Sequence, residues 1–514
     1  MSVLRDLESH ASIIVGRTGQ GKTALLIRLE QVESNTIRLN LFELAFRYVE
    51  NSTVLRFFED SGVNLDLFYR LLWRHVLVTE LIKKRYSLRD RSGFERWLDG
   101  LHLRFRPGTP KAKALEYMLQ WGDSFWEETE VRLKEVTSKL ENELESSVEG
   151  TAFKAKLRLG GKAALTEEER REVSSRGSAV VSRVQIKELS QIVDLLDEHF
   201  FDDRQKPYFV LIDSLDEEWV SSAARLKLIR SLLEEIRSFR RVRHVKVVCA
   251  LRQDLIEQVF EATRDGGFQE EKYEAYYAHI VWTRSELISL VEARVSEVFK
   301  RRYTNRIVRL ADIFPSARSG REPLDHIIER TFNRPRDVIS YVNECFRLAA
   351  DRPRISWKVI QDAETPYSKK RLKALLDEWL VQYPSLPATI DCLKGFPESF
   401  TRAAFNKGLV DGLATQLCTM HAQDPLIRAF KQAYTDHKSS ISDGDLVCAI
   451  LQLLFHVGVV GLKTGEESAW LWASRDQASV TWGDVKRSSH IRVHKMFWKA
   501  LEIRVQVWNS AGQP

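Results

Sequence analysis

A glycine-rich octapeptide near the amino terminus constrains the fold of this chain more than any other feature of its sequence. Residues 16–23 read Gly-Arg-Thr-Gly-Gln-Gly-Lys-Thr and satisfy the pattern G-x-x-x-x-G-K-[ST] in full. An apolar run over 11–15 precedes this segment, and leucines at helical spacing follow it over 22–31. The sequence therefore predicts a strand, a tight glycine loop and a helix, in that order.

This order of elements predicts a phosphate-binding loop (P-loop). Glycines allow backbone N–H groups to surround a β-phosphate at a helix N-terminus, a lysine neutralises β- and γ-oxygens, and a hydroxyl ligates Mg²⁺. Lys22 and Thr23 occupy the lysine and hydroxyl positions. We therefore expect ATP and Mg²⁺ as cofactors. The predicted nucleotide-binding residues are Gly16, Arg17, Thr18, Gly19, Gln20, Gly21, Lys22 and Thr23.

A second apolar run supplies the acidic residues that such a loop requires. Residues 208–212 are apolar or aromatic and end at Asp213. We expect this strand to neighbour the strand of the loop, and Asp213 to hold Mg²⁺ together with Thr23. Asp216 or Glu217 would orient or deprotonate the attacking water. The alternative is that these two acids only cap a helix N-terminus.

The acidic segment resembles a known family. Asp213-Ser-Leu-Asp-Glu217 is similar to the D-[GAS]-hydrophobic-D-E motif of STAND and KAP-type P-loop ATPases, which are allied to the AAA+ class. The resemblance implies that Asp216 is the catalytic base. Ser214 departs from ordinary AAA+ ATPases, which carry a glutamate there, and this difference argues against motor-like turnover.

The same resemblance implies three further residues at the nucleotide. Arg252, after the apolar strand 245–251, corresponds to a sensor facing the γ-phosphate, and a solvated arginine is the alternative. Arg336 lies in Asn-Arg-Pro-Arg, which resembles the element that opens a lid helix, although a cap without nucleotide contact is an open alternative. His494 resembles a C-terminal histidine that contacts ADP, and packing is its alternative role.

The predicted fold class is α/β: a P-loop NTPase parallel sheet with a helical insertion, followed by a helical lid and a C-terminal winged-helix domain. The predicted domains are 1–283, with an insertion over about 108–183, then 284–365 and 366–514. Strand-like runs at 469–473 and 479–482 are assigned to the wing. This arrangement resembles an uncharacterised bacterial P-loop ATPase family often labelled as DNA-repair-like.

Composition favours a cytoplasmic protein that does not enter a membrane. The five cysteines form no C-x-x-C pair, and the N-terminus shows no apolar signal region. The most apolar stretch, 446–462, is shorter than the ~20 residues of a membrane span and is interpreted as a buried helix and its turn. A net charge of +6 allows a nucleic-acid partner without requiring one.

Two functional hypotheses follow. In the first, the chain is an ATPase that binds and slowly hydrolyses ATP as a molecular switch, forms homo-oligomers and signals to a separate effector protein, with bacterial anti-phage defence as the expected setting. A separate effector is expected because the loop begins close to Met1. In the second, it is a DNA-handling ATPase that binds DNA through the winged helix and the basic insertion residues Lys154, Lys156 and Arg158. A GTPase is disfavoured because no N/T-K-x-D motif occurs.

Overall fold

A computed structural model describes most of the chain outside the predicted insertion. The described residues fall into two compact units, 1–281 and 282–514. The insertion over 108–183 lies outside them except for Thr109, and so does most of the helix predicted over 186–198. The described ranges are 1–42, 65–85, 109, 193–194, 196–201, 203–217, 222–263, 271–302, 307–435, 440–465, 467–473 and 480–505.

The first unit is built on a five-stranded parallel sheet. The strands are β1 (Ile13–Val15), β2 (Thr36–Leu39), β3 (Tyr208–Ile212), β4 (Val245–Leu251) and β5 (Tyr277–His279). Their order across the sheet is β2-β3-β4-β1-β5. The strand of Asp213 was predicted to neighbour the strand of the glycine loop, and this prediction was wrong. β4 lies between them, and its residue Cys249 pairs with Ile13 on one side and Ile212 on the other.

Helices cover both faces of this sheet because its strands are apolar on both faces. Ile13 and Val15 join a core with the helices over 66–85 and 222–239, whereas Ile14 packs with Leu26 and Leu29 on the opposite face. Continuous apolar runs are typical of parallel strands that are buried on both sides. The helices of this unit are α1 (Ser2–Arg5), α2 (Lys22–Val32), α3 (Asp66–Arg85), a π-helix (Leu196–Phe200), α4 (Ser222–Phe239), α5 (Gln253–Ala262) and α6 (Glu271–Glu274).

A buried ion pair joins α3 to α4. Glu235 is fully buried and accepts hydrogen bonds from Arg74 Nε at 3.0 Å and Arg74 Nη2 at 2.9 Å. Arg70 Nε donates to the same carboxylate at 3.0 Å. Because a buried carboxylate is costly without partners, these contacts make the α3–α4 packing specific.

The second unit contains a helical half and a half with a small sheet, which share one core. Helix α11, which crosses the domain boundary predicted at 365/366, contains Pro366 and packs in that core with residues from both sides of the boundary. The helices are α7 (Arg284–Arg302), α8 (Leu310–Ile313), α9 (Pro323–Ile328), α10 (Pro335–Leu348), α11 (Trp357–Trp379), α12 (Leu386–Asp391), α13 (Lys407–Thr419), α14 (Pro425–Thr435), α15 (Asp443–His456) and α16 (Trp482–Arg487).

The small sheet is antiparallel and has the order β6-β8-β7. Its strands are β6 (Ser399–Phe400), β7 (Val460–Lys463) and β8 (His490–Val493). The two predicted wing runs do not form its strands. Within 469–473, Leu471 makes an isolated bridge to Leu462, and the run 479–482 ends in the first residue of α16. Thr481 caps that helix through its hydroxyl, which explains why the segment turns instead of extending.

The most apolar segment of the chain forms a buried helix and a strand, as predicted. Helix α15 buries Leu446, Ile450, Leu451 and Leu454 among other residues, and β7 begins four residues after its end. Among the described residues, no helix has both the length and the apolar character that a membrane crossing requires.

Candidate functional site

The loop between β1 and α2 has a backbone that depends on its glycines. Gly19 has φ 85° and Gly21 has φ 102°, in the left-handed region that other residues rarely adopt. At Gly16, an added Cβ would lie 2.5 Å from Gln20 Oε1, which itself accepts a hydrogen bond from the Arg17 N–H at 2.5 Å. The loop therefore folds tightly at the start of α2, with no side chain at the three glycine positions.

Lys22, the first residue of α2, folds back across this loop. Its Nζ donates to the carbonyl of Gly16 at 2.9 Å and to the carbonyl of Arg17 at 3.3 Å. Burial lowers the pKa of Lys22, and the negative charge of Asp216 is the largest influence in the opposite direction. The ammonium group is thus held at the loop, within electrostatic reach of acidic side chains from elsewhere in the sheet.

The charged side chains near Lys22 lie at one edge of the sheet because the strands are parallel. β1, β3 and β4 run in the same direction, so the residues that follow them emerge at one edge of the sheet. Gly16 follows β1, Asp213 follows β3 and Arg252 follows β4. The Gly16 N–H donates to the carbonyl of Leu251 at 3.3 Å, and Arg252 Nη1 lies 3.6 Å from Asp216 Oδ2, so the three strand ends form one cluster.

Asp213 is mostly buried and is held by a residue that the sequence did not single out. Arg38, on β2, donates from Nη2 to Asp213 Oδ2 at 3.3 Å, and its Nη1 lies 3.5 Å from Glu30 Oε2. Arg38 and Asp213 are 175 positions apart. No local sequence signal could have revealed this pair, because it depends on the pairing of β2 with β3.

A strained turn presents the next two acids. Ser214 has φ 59°, and its carbonyl accepts the N–H of Glu217 at 3.1 Å. Arg225 Nη1 donates to the carbonyls of Glu217 at 2.9 Å and Asp216 at 3.3 Å, which fixes the backbone of the turn. Both Asp216 and Glu217 are exposed.

Arg252 connects the two sides of this cluster. It donates from Nε to Asp254 Oδ1 at 3.0 Å and from Nη2 to Asp254 Oδ2 at 2.6 Å. Its Nη1 lies 3.6 Å from Asp216 Oδ2. Asp254 is a site residue that the sequence reasoning missed. The spacing Arg-x-Asp at the start of the helix that follows β4 is the signal that could have found it.

The second unit contains the other two predicted residues. Arg336 is exposed in the first turn of α10, while the neighbouring Arg334 is buried near Glu378. His494 Nδ1 accepts the N–H of Met496 at 3.2 Å. The His494 ring packs 4.8 Å from the Phe332 ring and 5.0 Å from the Trp472 ring, so it links the start of the predicted lid helix to the small sheet.

The residues at the edge of the parallel sheet fit a magnesium–triphosphate group. At Gly21, directly before α2, an added Cβ would meet open space, and Lys22 supplies a cation beside the loop. Thr23 and Asp213 supply hydroxyl and carboxylate oxygens, the ligand type that Mg²⁺ prefers. A cation for phosphate oxygens and oxygen ligands for Mg²⁺ are therefore both present at this edge of the sheet.

Comparison with known proteins finds two similarities. Residues 285–376, which span α7 to most of α11, match the FunZ-associated C-terminal helical domain. A protein of Escherichia coli (strain K12) described as "Putative transposon gamma-delta 80.3 kDa protein" is 22% identical over 510 residues. The match covers 96% of this chain and 62% of that protein, so the chain spans less than two thirds of the relative's length.

Proposed function

We propose that this chain is a P-loop ATPase, related to the STAND and KAP-type branch, that uses Mg²⁺-ATP as a molecular switch. The observation that carries the proposal is the cluster at the carboxyl edge of the parallel sheet. There Lys22 folds over a left-handed glycine loop and responds to the charges of Asp213, Asp216, Arg252 and Asp254. A lysine and several acids around one glycine loop is the arrangement that phosphoryl transfer requires.

Binding would depend on the loop and on the ends of two strands. Backbone N–H groups of residues 16–23 would surround the phosphates, and Lys22 would exchange its carbonyl contacts for phosphate oxygens. Thr23 and Asp213 would hold Mg²⁺, which supplies charge neutralisation to the phosphates. For Asp213 this requires that Arg38 leave its carboxylate, and Glu30 at 3.5 Å is the partner available to receive it.

Hydrolysis would use the exposed acids of the turn after β3. Asp216 is our first choice as general base because it faces the same cluster as Lys22, and Glu217 is the alternative. Arg252 would act as an electrostatic sensor whose guanidinium orientation is set by Asp254. Since Arg252 also lies beside Asp216, the arrival of a γ-phosphate would change the contacts of the base and the sensor together.

The biological role that we propose is a cytoplasmic switch that assembles into homo-oligomers and signals to a separate effector, with anti-phage defence as the proposed setting. A nucleotide shifts such an equilibrium only by its differential affinity for the two states. Arg336 and His494 are proposed to report the nucleotide state from the second unit. For His494, the packing of its ring against Phe332 and Trp472 is what the alternative, a packing role, predicts.

Equilibrium binding tests the ATPase proposal directly. Calorimetry should show ATP binding that is tighter with Mg²⁺ than with EDTA and tighter than GTP binding under the same conditions. Equal affinity for ATP with and without Mg²⁺ would contradict the roles of Thr23 and Asp213. Sedimentation with ATP, with ADP and without nucleotide tests the switch, and a larger species with ATP is the expected result.

A DNA-handling ATPase is the second candidate function. The observation that favours it is the similarity to a protein described as a putative transposon protein. The three helices α13, α14 and α15, followed by the antiparallel pair of β7 and β8, also support the winged-helix interpretation. Hydrolysis that DNA stimulates severalfold would favour this function, whereas hydrolysis indifferent to DNA would favour the switch.

A further inference from the structure

Four exposed cations lie on two connected loops of the second unit. The first loop, 314–322, joins α8 to α9 and contains Arg318. The second loop, 349–356, joins α10 to α11 and contains Arg352 and Arg354, and Lys358 follows in the first turn of α11. All four side chains are exposed. We call Arg318, Arg352, Arg354 and Lys358 the basic loop surface.

Hydrogen bonds hold the two loops side by side. The N–H of Ile355 donates to the carbonyl of Ile313 at 2.9 Å, and the indole Nε1–H of Trp357 donates to the carbonyl of Ser316 at 2.9 Å. Ile355 is buried and separates Arg354 from the helix that carries Lys358. The cations of the second loop are therefore anchored next to the first loop.

The first loop is itself a tight hairpin. Arg318 and Arg321 exchange backbone hydrogen bonds of 3.0 Å and 3.1 Å across a two-residue turn. Ser319 has φ 52° and Gly320 has φ 73°, and positive φ at both central residues is typical of a type I′ turn. The backbone of Arg318 is thus already fixed by the hairpin, so little backbone entropy would be lost there when a partner binds.

Among the described residues, the four cations have no acidic partner, in contrast to their neighbours. Arg321 pairs with Glu329, and Arg347 pairs with Glu344 at 2.8 Å. Within the part of the chain that the structure describes, no carboxylate pairs with any member of the basic loop surface. Across both loops and Lys358, the acids are Asp351 and Glu322, against five cations that include Arg321. The surface therefore keeps a positive charge that no carboxylate of the described ranges neutralises.

We propose that the basic loop surface binds the phosphodiester backbone of nucleic acid. Separate cations on a fixed scaffold match a polyanion, and guanidinium groups bind phosphate through paired hydrogen bonds. The nearby Trp357 uses its N–H for Ser316 and packs edge-on to the His326 ring at 6.0 Å, so it does not present a free stacking platform. The contact would position nucleic acid without reading its sequence.

This surface would serve the second candidate function, and it does not depend on nucleotide binding. It lies on 314–358, whereas the glycine loop and its acids lie in the other unit. Loss of DNA binding would therefore leave the ATPase proposal intact, and loss of ATP binding would leave this proposal intact.

A charge-neutralising variant tests the proposal. The full chain carrying Arg318→Gln, Arg352→Gln, Arg354→Gln and Lys358→Gln is compared with wild type by fluorescence anisotropy on a labelled DNA duplex. The salt concentration is varied from about 50 to 200 mM. If all four cations contact phosphates, the slope of log K against log salt should fall in magnitude by about 3–4, and binding should weaken uniformly across sequences.

A matched control separates a local contact from the effect of net charge. It changes four other exposed cations of the same unit to Gln: Arg294, Lys300, Arg301 and Arg302, which all lie on α7 and outside the segment 366–514 assigned to the winged helix. The control should bind like wild type, and a variant with lysines in place of the three arginines should keep the salt slope. Unfolding curves of all variants should coincide with wild type, because every substituted side chain is exposed.

Several results would overturn the proposal. An unchanged salt slope in the neutralised variant would remove this surface from any phosphate contact, and an equal loss in the control would reduce the effect to net charge. Single-stranded DNA and RNA of the same length serve as further arms that identify the nucleic acid. Failure of wild type to bind any of the three at low salt, or binding to anionic vesicles alone, would refute a nucleic-acid partner.

Discussion

Replacing Asp216 by Asn removes one negative charge from the cluster while it preserves the shape of the side chain. Asp216 lies 3.6 Å from Arg252 and is 39% exposed. Its charge is the strongest influence that raises the pKa of Lys22 against burial, so the substitution leaves Lys22 with a lower pKa. The contacts of Lys22 with the carbonyls of Gly16 and Arg17 do not involve Asp216, so we expect the loop to keep its structure.

The expected effects on binding and on chemistry differ in size. Loss of an exposed ion pair such as Asp216–Arg252 costs roughly 0–1 kcal/mol, which limits the change in ATP affinity to about fivefold. Loss of a general base lowers the rate of the chemical step by roughly 10²–10⁴-fold, or about 3–5 kcal/mol. Since the second effect exceeds the first, the variant should bind ATP and retain it unhydrolysed.

Single-turnover hydrolysis with enzyme in excess measures this effect, because it isolates chemistry from product release. Glu217→Gln is the matched control, since it removes the same charge from the adjacent exposed residue. Slow hydrolysis in Asp216→Asn with a normal rate in Glu217→Gln is expected. The reverse pattern would move the base to Glu217, and normal rates in both would refute a carboxylate base in this turn.

The same variant tests the assembly switch. If ATP favours an assembled state, Asp216→Asn should sediment as a larger species with ATP and should persist in that form longer than wild type. Identical sedimentation with ATP, with ADP and without nucleotide would contradict the switch and would leave the hydrolysis result unaffected.

Three further substitutions test other parts of the structure. Lys22→Ala should abolish tight Mg²⁺-ATP binding in calorimetry because it deletes the cation held over the loop, and unchanged affinity would contradict the P-loop assignment. Asp254→Asn should slow hydrolysis by roughly tenfold or more, since charged hydrogen bonds contribute about 1.5–3 kcal/mol and Arg252 would lose its orienting partner. If Asp254 acts through Arg252, the double variant Asp254→Asn/Arg252→Ala should hydrolyse ATP as fast as Arg252→Ala alone. Additive losses of rate would argue that the two residues act separately. Glu235→Gln should lower the unfolding free energy by about 3–5 kcal/mol in urea titrations because it leaves Arg74 without its buried carboxylate. The more exposed Glu234→Gln is its control, and an equal effect there would contradict this account.

Secondary-structure elements that depend on neighbouring residues were predicted correctly from the sequence. The strands 208–212 and 245–251 were predicted with the bounds that the structure has, because a parallel strand buried on both faces is a continuous apolar run ended by a polar residue. The helix after the glycine loop begins at Lys22 as predicted. In each case, a short local sequence pattern is enough to predict the element.

Features that depend on contacts between distant segments could not be predicted from the sequence. The place of β4 between β1 and β3 depends on pairing between strands far apart in the chain, and no local pattern encodes that order. The strand predicted at 479–482 became the cap and start of α16, because the local bond between Thr481 and Asp484 replaced extended pairing. The small sheet instead includes β6 (Ser399–Phe400), which ends 60 positions before β7 (Val460–Lys463) begins.

The candidate site divides in the same way. The sequence by itself determined the glycine loop, since only glycine adopts φ 85° and 102° at positions 19 and 21 without strain. Only the tertiary structure decided which charges surround Lys22. Parallel pairing brings the ends of β1, β3 and β4 to one edge, so Asp216, Arg252 and Asp254 meet there although they are distant from the loop in sequence. Electrostatic interactions depend on distance in space, and the register of the sheet sets that distance.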